Sequence, residues 1–413
     1  MRSRSVGLLV GSAILIFLIL MSLSGCREAD APMATEPEAA VAAATAALAF
    51  AGVSAGESHT CGMTTDNRAY CWGDNFVGEL GIGTSDDVTH STPVLVAGGL
   101  RFRQVSAGFL TTCGVTTDRR AYCWGYNRIG QVGDGTDAAT DVANTERHSP
   151  VPVVGGHQFS QIETNLDHTC GLSYPDGKAY CWGSNSEGQL GIGSNDDVPH
   201  NTPLPVSGGL TFRRLTAGHE HTCGLTTNSK IYCWGLNTDG QLGDGTEVGR
   251  RKTPRLVTGG LAFAWVDAGR NHTCAITTES RAFCWGYGKS GERGDGSVTE
   301  RIRAPRAVLG GHVFTRVSAG AFHTCGVTPS NQAWCWGNNV NGALGDGSTV
   351  FTRTTPRLVA GGLALNQVSA GAFHTCGRTT ASVGYCWGNN VSGELGNGTT
   401  SVSLKPSPVS GPN

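Results

Sequence analysis

The sequence predicts an all-β protein, a seven-bladed β-propeller, and two observations support this fold class. The tripeptide Cys-Trp-Gly occurs seven times in the 413 residues, at successive steps of 52, 58, 52, 51, 51 and 51 residues. A fixed period near 50 residues is typical of propellers and solenoids. Each repeat also holds about four short stretches in which alternate side chains can face one side, as in a β-strand. Seven copies of a four-stranded unit describe a seven-bladed propeller.

The segment before the repeats, residues 1–26, has the features of a bacterial lipoprotein signal peptide. A positively charged start, Met1–Arg4, is followed by an apolar run over residues 6–23. The run ends in Leu23-Ser24-Gly25-Cys26, which resembles a lipobox, so we expect cleavage before Cys26 and lipid attachment to it. An uncleaved membrane anchor is the alternative, because the apolar run is close to the length that spans a bilayer.

Residues 27–47 are rich in Ala, Pro and Glu and contain no aromatic residue, which predicts a flexible tether. The propeller then occupies residues 48–413. The tether and the lipid would hold it at the cell envelope of an exporting cell. Position 27 is Arg rather than Asp, which implies the outer membrane if the host has two membranes.

Within one repeat, the elements follow a constant order. A His-Thr-Cys strand, a polar turn and a Tyr-Cys-Trp-Gly strand form a β-hairpin, as at His221–Gly235. A glycine-rich segment and a variable polar loop follow, then a Thr-Pro strand and a further alternating run such as Leu210–Leu215. Counted from the hairpin, the repeats begin and end in mid-unit, at Leu48–Gly56 and Pro406–Gly411. We therefore expect one blade built from both termini, which would close the ring and remove exposed sheet edges.

The motif Ala-Gly-x-x-His-Thr, followed by Tyr-x-Trp-Gly-x-Asn-x-x-Gly-x-Leu-Gly-x-Gly, resembles the regulator of chromosome condensation repeat over residues 48–413. The resemblance implies a seven-bladed propeller. It implies no single function, because one fold hosts many functions. The family includes a nuclear guanine-nucleotide exchange factor, domains of large signalling proteins and a secreted bacterial β-lactamase inhibitor.

The fifteen cysteines are Cys26 and seven pairs spaced by ten residues, or by eleven in one repeat. A tight hairpin places such cysteines opposite each other, about 4.5–5.5 Å apart at Cα, within reach of a disulfide. An oxidising compartment would preserve these bonds. The predicted pairs are Cys61–Cys71, Cys113–Cys123, Cys170–Cys181, Cys223–Cys233, Cys274–Cys284, Cys325–Cys335 and Cys376–Cys386. Reduced thiols in a chain that stays in the cytosol, or zinc held with the nearby repeat histidines, are the alternatives, although each blade offers only three ligands.

The repeat histidines and tryptophans are predicted to be scaffold residues. Histidine occupies equivalent positions in six repeats, with Thr111 in the second, and we expect each to form the same hydrogen bond inside its own blade. The tryptophans should pack the blades. No Ser-His-Asp set, carboxylate pair, phosphate-binding loop or metal-ligand spacing recurs, so we expect no catalysis, metal or cofactor. A net charge of −2 gives no sign of nucleic-acid binding, and we expect a monomer.

The variable loops supply a candidate binding face, because constant positions hold the fold and variable loops are free to recognise a partner. We expect equivalent loops to emerge on one face, with an acidic half and a basic half that would steer a protein partner. Unconnected solvated loops are the alternative. The candidate residues are Asp86, Asp87, Asp137, Asp141, Asp196 and Asp197 in repeats one to three, Arg250, Arg251, Lys252, Arg301, Arg303 and Arg353 in repeats four to six, and the apolar Phe109, Phe322 and Phe373.

These features predict an exported, lipid-anchored propeller that binds an unknown protein partner, or acts as a scaffold, at the cell envelope. Inhibition of a secreted or periplasmic enzyme is the alternative, by resemblance to the β-lactamase inhibitor. Guanine-nucleotide exchange is less favoured, because an exported chain meets no cytosolic GTPase.

Overall fold

Seven antiparallel sheets of four strands each form the blades of the protein, in a computed structural model that describes residues 48–143 and 145–412. The predicted all-β seven-bladed propeller is therefore confirmed. The signal peptide, Cys26 and the tether predicted for residues 27–47 lie outside the described residues. In the described part of the chain, no helix has the length and apolar character needed to cross a membrane.

Each blade uses four strands that are consecutive in the chain. Blades one to three contain β1 (Phe50–Ala55), β2 (His59–Thr64), β3 (Ala69–Asn75) and β4 (Asp86–Leu95); β5 (Phe102–Ala107), β6 (Thr111–Thr116), β7 (Ala121–Tyr126) and β8 (Glu146–Pro152); and β9 (Phe159–Thr164), β10 (His168–Ser173), β11 (Ala179–Asn185) and β12 (Asp196–Pro205). Blades four and five contain β13 (Phe212–Ala217), β14 (His221–Thr226), β15 (Ile231–Leu236) and β16 (Arg250–Leu256); and β17 (Phe263–Ala268), β18 (His272–Thr277), β19 (Ala282–Tyr287) and β20 (Arg301–Ala307). Blades six and seven contain β21 (Arg316–Ala319), β22 (His323–Val327), β23 (Ala333–Asn338) and β24 (Thr352–Leu358); and β25 (Leu365–Ala370), β26 (His374–Thr379), β27 (Gly384–Gly388) and β28 (Ser403–Pro408). Single 3-10 turns occur at Ala97–Gly99 and Val340–Gly342.

The hairpin of each blade has the register that the cysteine spacing predicts. In blade one, Cys61 lies directly opposite Cys71, and the turn between them contains Asn67 with a positive φ of 66°. In all seven blades the two sulfurs are bonded, at 2.08–2.13 Å.

The residue after each repeat tryptophan is glycine because a side chain there would collide with the backbone of the neighbouring strand. At Gly125, with φ 97°, a Cβ would lie 2.3 Å from the Leu110 carbonyl oxygen.

The hydrophobic core lies in the seams, the contact surfaces between neighbouring blades. In the seam between blades one and two, the Cys61–Cys71 pair and Leu80 of blade one pack against Phe102 and Trp124 of blade two. All seven repeat tryptophans are fully buried. Each indole Nε1 donates to a carbonyl oxygen of the preceding blade, as Trp124 does to Glu79 at 2.9 Å. A repeat therefore contributes one half of the core on each of its two sides.

The ring closes differently from the sequence-based expectation, because no blade among the described residues combines strands from both termini. β1 pairs with β2, and β28 pairs with β27. The expectation was wrong because it counted each repeat from the hairpin, whereas each blade begins with the strand before the hairpin. Phe50 packs under Trp72 of its own blade, which makes Leu48–Gly56 the innermost strand of a complete first blade. Closure comes from side-by-side contact of blades seven and one, where Trp72 donates to the Glu394 carbonyl at 2.8 Å.

The repeat histidines bond to the following blade, which corrects the expectation of a bond inside their own blade. His59 Nε2 lies 2.8 Å from Thr112 Oγ1, and the same contact recurs at the other five histidines, at 2.7–2.9 Å. The Thr112 hydroxyl donates its one proton to the Glu79 carbonyl. Its oxygen therefore accepts from His59, which fixes the Nε2–H tautomer. Burial lowers the pKa of these histidines from 6.5 to about 3 or about 4.

Candidate binding face

The two faces of the ring carry different connections. Because neighbouring strands are antiparallel, the β1–β2 and β3–β4 connections of each blade emerge at the same edge of the sheet. We call this side the loop face; in blade one it includes residues 56–58 and 76–85. The hairpin turns and the links between blades emerge on the opposite side, the turn face. The candidate charged loops and the three candidate phenylalanines all lie on the loop face, as expected for equivalent positions.

At the centre of the loop face, the short β1–β2 connections surround the mouth of the ring. Phe109, Phe322 and Phe373 line one cavity of about 120 Å³ there. The Phe322 and Phe373 rings are stacked with their centroids 5.1 Å apart, and Phe109 lies edge-on to His219 at 6.2 Å. The ring fold thus brings together three apolar side chains from blades two, six and seven.

Polar groups of the same mouth were not among the predicted site residues. Glu57 lies beside this cavity, and burial raises the pKa of its carboxyl to about 7, against the lowering effect of Arg270. Its Oε2 is buried and has no hydrogen-bond partner within the described residues. Burial, and then Arg270, lower the pKa of His219 to about 4. The sequence marks these positions only as variable, since their coming together depends on closure of the ring.

The predicted acidic residues mostly stabilise their own loops. Asp137 is 5% exposed and accepts the backbone N–H groups of Ala139 and Thr140. Asp86 and Asp196 lie 3.0 and 2.9 Å from histidines on their own strands. Asp141 lies 3.5 Å from Arg147. Asp87 and Asp197 are the two predicted acidic residues that are exposed.

Five of the six predicted basic residues are ion-paired at the rim. Arg251 and Arg353 bind Asp244 and Asp346 at 2.7 and 3.0 Å, within their own blades. Three pairs cross a seam: Arg250 with Glu187, Arg301 with Asp239 and Arg303 with Glu247, at 3.3, 3.2 and 3.3 Å. Lys252 is exposed. Each pair neutralises a cation that was expected to belong to a basic half, and the division of the loop face into an acidic and a basic half stays a prediction.

Exposed apolar side chains at the rim are a feature that the sequence-based analysis missed. Of the sixteen large apolar side chains that are exposed among residues 48–143 and 145–412, ten lie in loop-face connections or at the strand starts beside them, among them Val88 at 63% and Val142 at 80%. One such valine occurs in every blade: Val88, Val142, Val198, Val248, Val298, Val350 and Val402. Valine in a polar loop gives a weak sequence signal. Its recurrence in all seven variable loops is the signal that could have been used.

The loop face carries groups suited to binding another molecule. It combines apolar rim residues, a small aromatic cavity at the mouth and polar groups at the edge of that cavity. Over residues 48–143 and 145–412, no group of three or more His, Cys, Asp or Glu side chains is placed to hold a metal ion. Exposed apolar groups beside paired charges are typical of surfaces that bind proteins.

Comparison with known proteins gives family matches over most of the chain. A family model described as the RCC1-like domain matches residues 24–312, and models of the regulator of chromosome condensation (RCC1) repeat match residues 314–343 and 330–377. The ultraviolet-B receptor UVR8 of Arabidopsis thaliana is 27% identical over 353 residues, or 84% of this chain and 78% of the receptor. The human E3 ubiquitin-protein ligase HERC2 is 29% identical over 84% of this chain, which corresponds to only 7% of the ligase.

Solved structures give the same architecture. Yeast RCC1 (Prp20), solved bound to Kap60, has a TM-score of 0.72 at 20% identity, covering 82% of this chain and 83% of that one. Human WBSCR16 has a TM-score of 0.70 at 20% identity, covering 78% of this chain and 84% of that one. At such identities the likeness shows the fold alone.

Proposed function

Because the chain belongs to the RCC1-like domain family, we propose that it is a protein-binding module, exported and lipid-anchored, that holds a protein partner on its loop face at the cell envelope. The observation that carries the proposal is the asymmetry of apolar exposure. Among the described residues, ten of sixteen exposed large apolar side chains lie in or beside the loop-face connections, and the other six, such as Leu309 and Val313, lie at the turn face. Exposed apolar groups rimmed by polar residues mark interaction sites where they form a continuous patch, which a partner spanning several blades would cover.

Two further observations support a protein partner. The mouth cavity of about 120 Å³ has the size of a single side chain, which suits one buried anchor residue of a partner. Among proteins of this fold, yeast RCC1 was solved with Kap60 bound, and Prp20p is described with binding properties to Gsp1p and histones. Protein binding is thus compatible with this ring of blades, while the partner of this chain is set by its own loop face.

The proposed location is supported by the cysteines. Seven bonded pairs suit an oxidising compartment, and the cytosol would keep such thiols reduced. The anchor rests on the sequence Leu23-Ser24-Gly25-Cys26. Cys26→Ala should release the protein from the membrane fraction or block its processing. Unchanged partition into detergent together with unchanged mass would contradict the lipid anchor.

The binding face is tested by two matched double variants. Val88→Lys with Val198→Lys changes the loop face, at two side chains that are each 63% exposed, and Leu309→Lys with Val313→Lys changes the turn face. After chemical crosslinking in envelope extract, a protein captured by the parent should be lost with the first variant and kept with the second. Capture that survives both changes, or is lost with both, would contradict binding by the loop face.

The identity of the captured protein decides between scaffold and inhibitor. If it is a secreted or periplasmic enzyme, its activity is measured with the parent and with the Val88→Lys, Val198→Lys variant. Loss of activity with the parent alone assigns inhibition. Unchanged activity in both assigns a scaffold or binding function.

A further inference from the structure

The channel through the ring contains a second cavity, which runs along the innermost strands from their turn-face ends and shares lining residues such as Ala55 and Ala107 with the mouth cavity. Its volume is about 690 Å³, and the innermost strands of all seven blades line it. The charged residues of its lining are four arginines and two acids: Arg103, Arg213, Arg214, Arg316, Glu163 and Asp267. The lining is therefore more basic than acidic, although the whole chain has a net charge of −2.

Most channel side chains have a defined structural task. At the third position of the innermost strand, five blades use the side chain to donate to a backbone carbonyl of the next blade, at 2.7–2.9 Å. The five donors are Gln104, Gln161, Arg214, Trp265 and Gln367. Arg316, the first residue of β21, is the equivalent residue of blade six, two positions after Phe314; it is exposed to the channel and makes no hydrogen bond or ion pair with the described residues. Its guanidinium donors are therefore available in a lined cavity.

Arg316 is held in place by an aromatic ring instead. The Arg214 guanidinium lies 3.6 Å from the centroid of the Trp265 ring, and the Arg316 guanidinium lies 5.3 Å from the same centroid. Two cations thus share one indole. Burial lowers the pKa of Arg316, and the nearby Arg214 and Arg378 lower it further. Arg214 is paired with Asp267, whereas Arg316 has no ion pair among the described residues.

The two channel acids are already engaged. Asp267 lies 3.4 Å from Arg214 and accepts the Ala319 backbone N–H at 2.9 Å. Glu163 accepts from the side-chain amides of Gln104 and Gln161, at 3.2 and 2.7 Å. Both acids bridge neighbouring blades and are not directed at Arg316, which leaves an excess of cationic donors in the cavity.

We infer that this channel cavity binds a small polar molecule bearing a carboxylate or phosphate group, with Arg316 as its main contact. The volume of about 690 Å³ lies in the range of small-molecule sites. The planar guanidinium presents parallel N–H donors that match the oxygens of a carboxylate or phosphate. The amide and hydroxyl groups of the lining suit a polar ligand body. Arg316 lies at the start of β21, the turn-face end of the channel, so its substitution leaves the loop-face connections unchanged.

The experiment titrates the full chain at low ionic strength with citrate and, separately, with inorganic phosphate, by calorimetry. We expect saturable binding of at least one of them, and the stronger of the two identifies the anionic group. Arg316→Gln should weaken that binding by about tenfold or more, because one charge-assisted bidentate contact is lost. Arg316→Lys keeps the charge without the planar fork and should give an intermediate loss. Arg357→Gln, which removes an exposed charge from the outer strand of the same blade, should leave binding unchanged.

The Arg316→Gln variant should fold normally, because Arg316 makes no hydrogen bond to another blade among the described residues. A loss of binding can therefore be assigned to the site itself. The melting temperature of Arg316→Gln without anion should equal or exceed that of the parent, because a repelled charge is removed. Absence of binding of both anions to the parent would overturn the inference. So would equal weakening by Arg316→Gln and Arg357→Gln, which would indicate general charge screening.

Discussion

Positions in the seams and positions at the mouth of the ring differ in how they depart from the repeat. In the seams, departures occur in matched pairs. Blade two has Thr111 in place of the histidine, and blade three has Thr164 where the other blades have alanine. The Thr164 hydroxyl lies 2.9 Å from Thr169 Oγ1, the group that a histidine would otherwise contact. One unusual residue thus takes over the contact that the other one removes.

Blade five shows a second matched pair. Gly288 replaces the asparagine, and Arg293 replaces the apolar residue, that the other repeats have at these positions. Arg293 is fully buried, donates to the Gly286 carbonyl and pairs with Asp295 at 3.2 Å. A Cβ at position 288 would lie 1.7 Å from its Nη1.

The mouth positions show no such pairing. Successive blades place residues as different as Glu57, Phe109 and Arg270 there. The difference teaches that coupled contacts constrain the seams, whereas the mouth is free to vary for recognition.

The largest effect on stability is expected from the disulfides, which belong to the core of the seams. Each closes a short loop and should stabilise the fold by at most about 2–3 kcal/mol. Reduction under mild denaturant should therefore unfold the whole ring. Thiol counting on unfolded, unreduced mature protein should find essentially no free thiol. Detection of fourteen thiols, or of bound zinc, would contradict the oxidised state.

The matched pair in blade five gives the next largest effect. Gly288→Asn alone should destabilise the fold by about 3 kcal/mol or more, because it forces an overlap with the buried Arg293. Arg293→Leu alone should cost about 3–5 kcal/mol, since it leaves Asp295 buried without its cation. The double variant removes the overlap but leaves Asp295 without a cation, because blade five has Ile302 where blade four has Arg251; in urea unfolding it should lose less stability than the sum of the two single variants. Additive losses would show that the two positions are not coupled.

The histidine pair can be transferred to the closing seam between blades seven and one. His374→Thr removes the donor to Thr60 and should cost about 1–3 kcal/mol. Adding Ala55→Thr, opposite Thr60 as Thr164 is opposite Thr169, reproduces the Thr164 arrangement and should restore most of that loss. The measurement is the free energy of unfolding of the three proteins. If the second substitution restores nothing, the compensation seen at Thr164 is not general.

Acidification should weaken the seams through their buried histidines. The six seam histidines have folded-state pKa values of about 3 to 4, below the ordinary value of 6.5. These histidines therefore bind more protons in the unfolded chain below pH 6.5, and their contribution to stability falls as the pH drops, by about 1.4 kcal/mol per histidine at pH 5.5, while buried carboxyl groups such as Glu79, whose pKa is raised, act in the opposite direction. The His374→Thr, Ala55→Thr protein should lose stability less steeply as the pH falls, by up to one proton. Equal slopes in the two proteins would contradict neutral seam histidines.

The smallest effect is expected at the mouth. Phe322→Ala or Phe373→Ala should change the free energy of unfolding by about 1 kcal/mol, the value of one partly exposed aromatic stack. Either change should nevertheless weaken capture of the partner. A loss of stability as large as that of Arg293→Leu would show that the mouth residues stabilise the fold, as the seam residues do.

The sequence predicts the repeated part of the fold well, because the same local pattern of strands and turns occurs in all seven repeats. Blade number and the pairing of Cys61 with Cys71 follow from spacing within one hairpin. Contacts between repeats do not follow in this way. The period shows that His59 is repeated, yet only the curvature of the ring places it against Thr112 of the next blade.

The loop face was the least predictable part. Arg301 and Asp239 are 62 residues apart, so a loop that is basic in sequence becomes neutral by contact with a neighbouring blade. The convergence of Phe109 with Phe322 and Phe373 likewise requires a closed ring. By contrast, the departures at Gly288 and Arg293 are visible in the sequence, and only their coupling requires the structure.

The consecutive order of strands in each blade has a consequence for a chain that emerges N-terminus first. A blade is complete as soon as its fourth strand has left the ribosome or the translocation pore, and its two cysteines lie only ten or eleven residues apart. Each hairpin can therefore be oxidised before the following blade appears. A blade shared between the termini would instead hold its first strand unpaired until the end of synthesis. In this protein, only the seam between blades seven and one waits for the last residues.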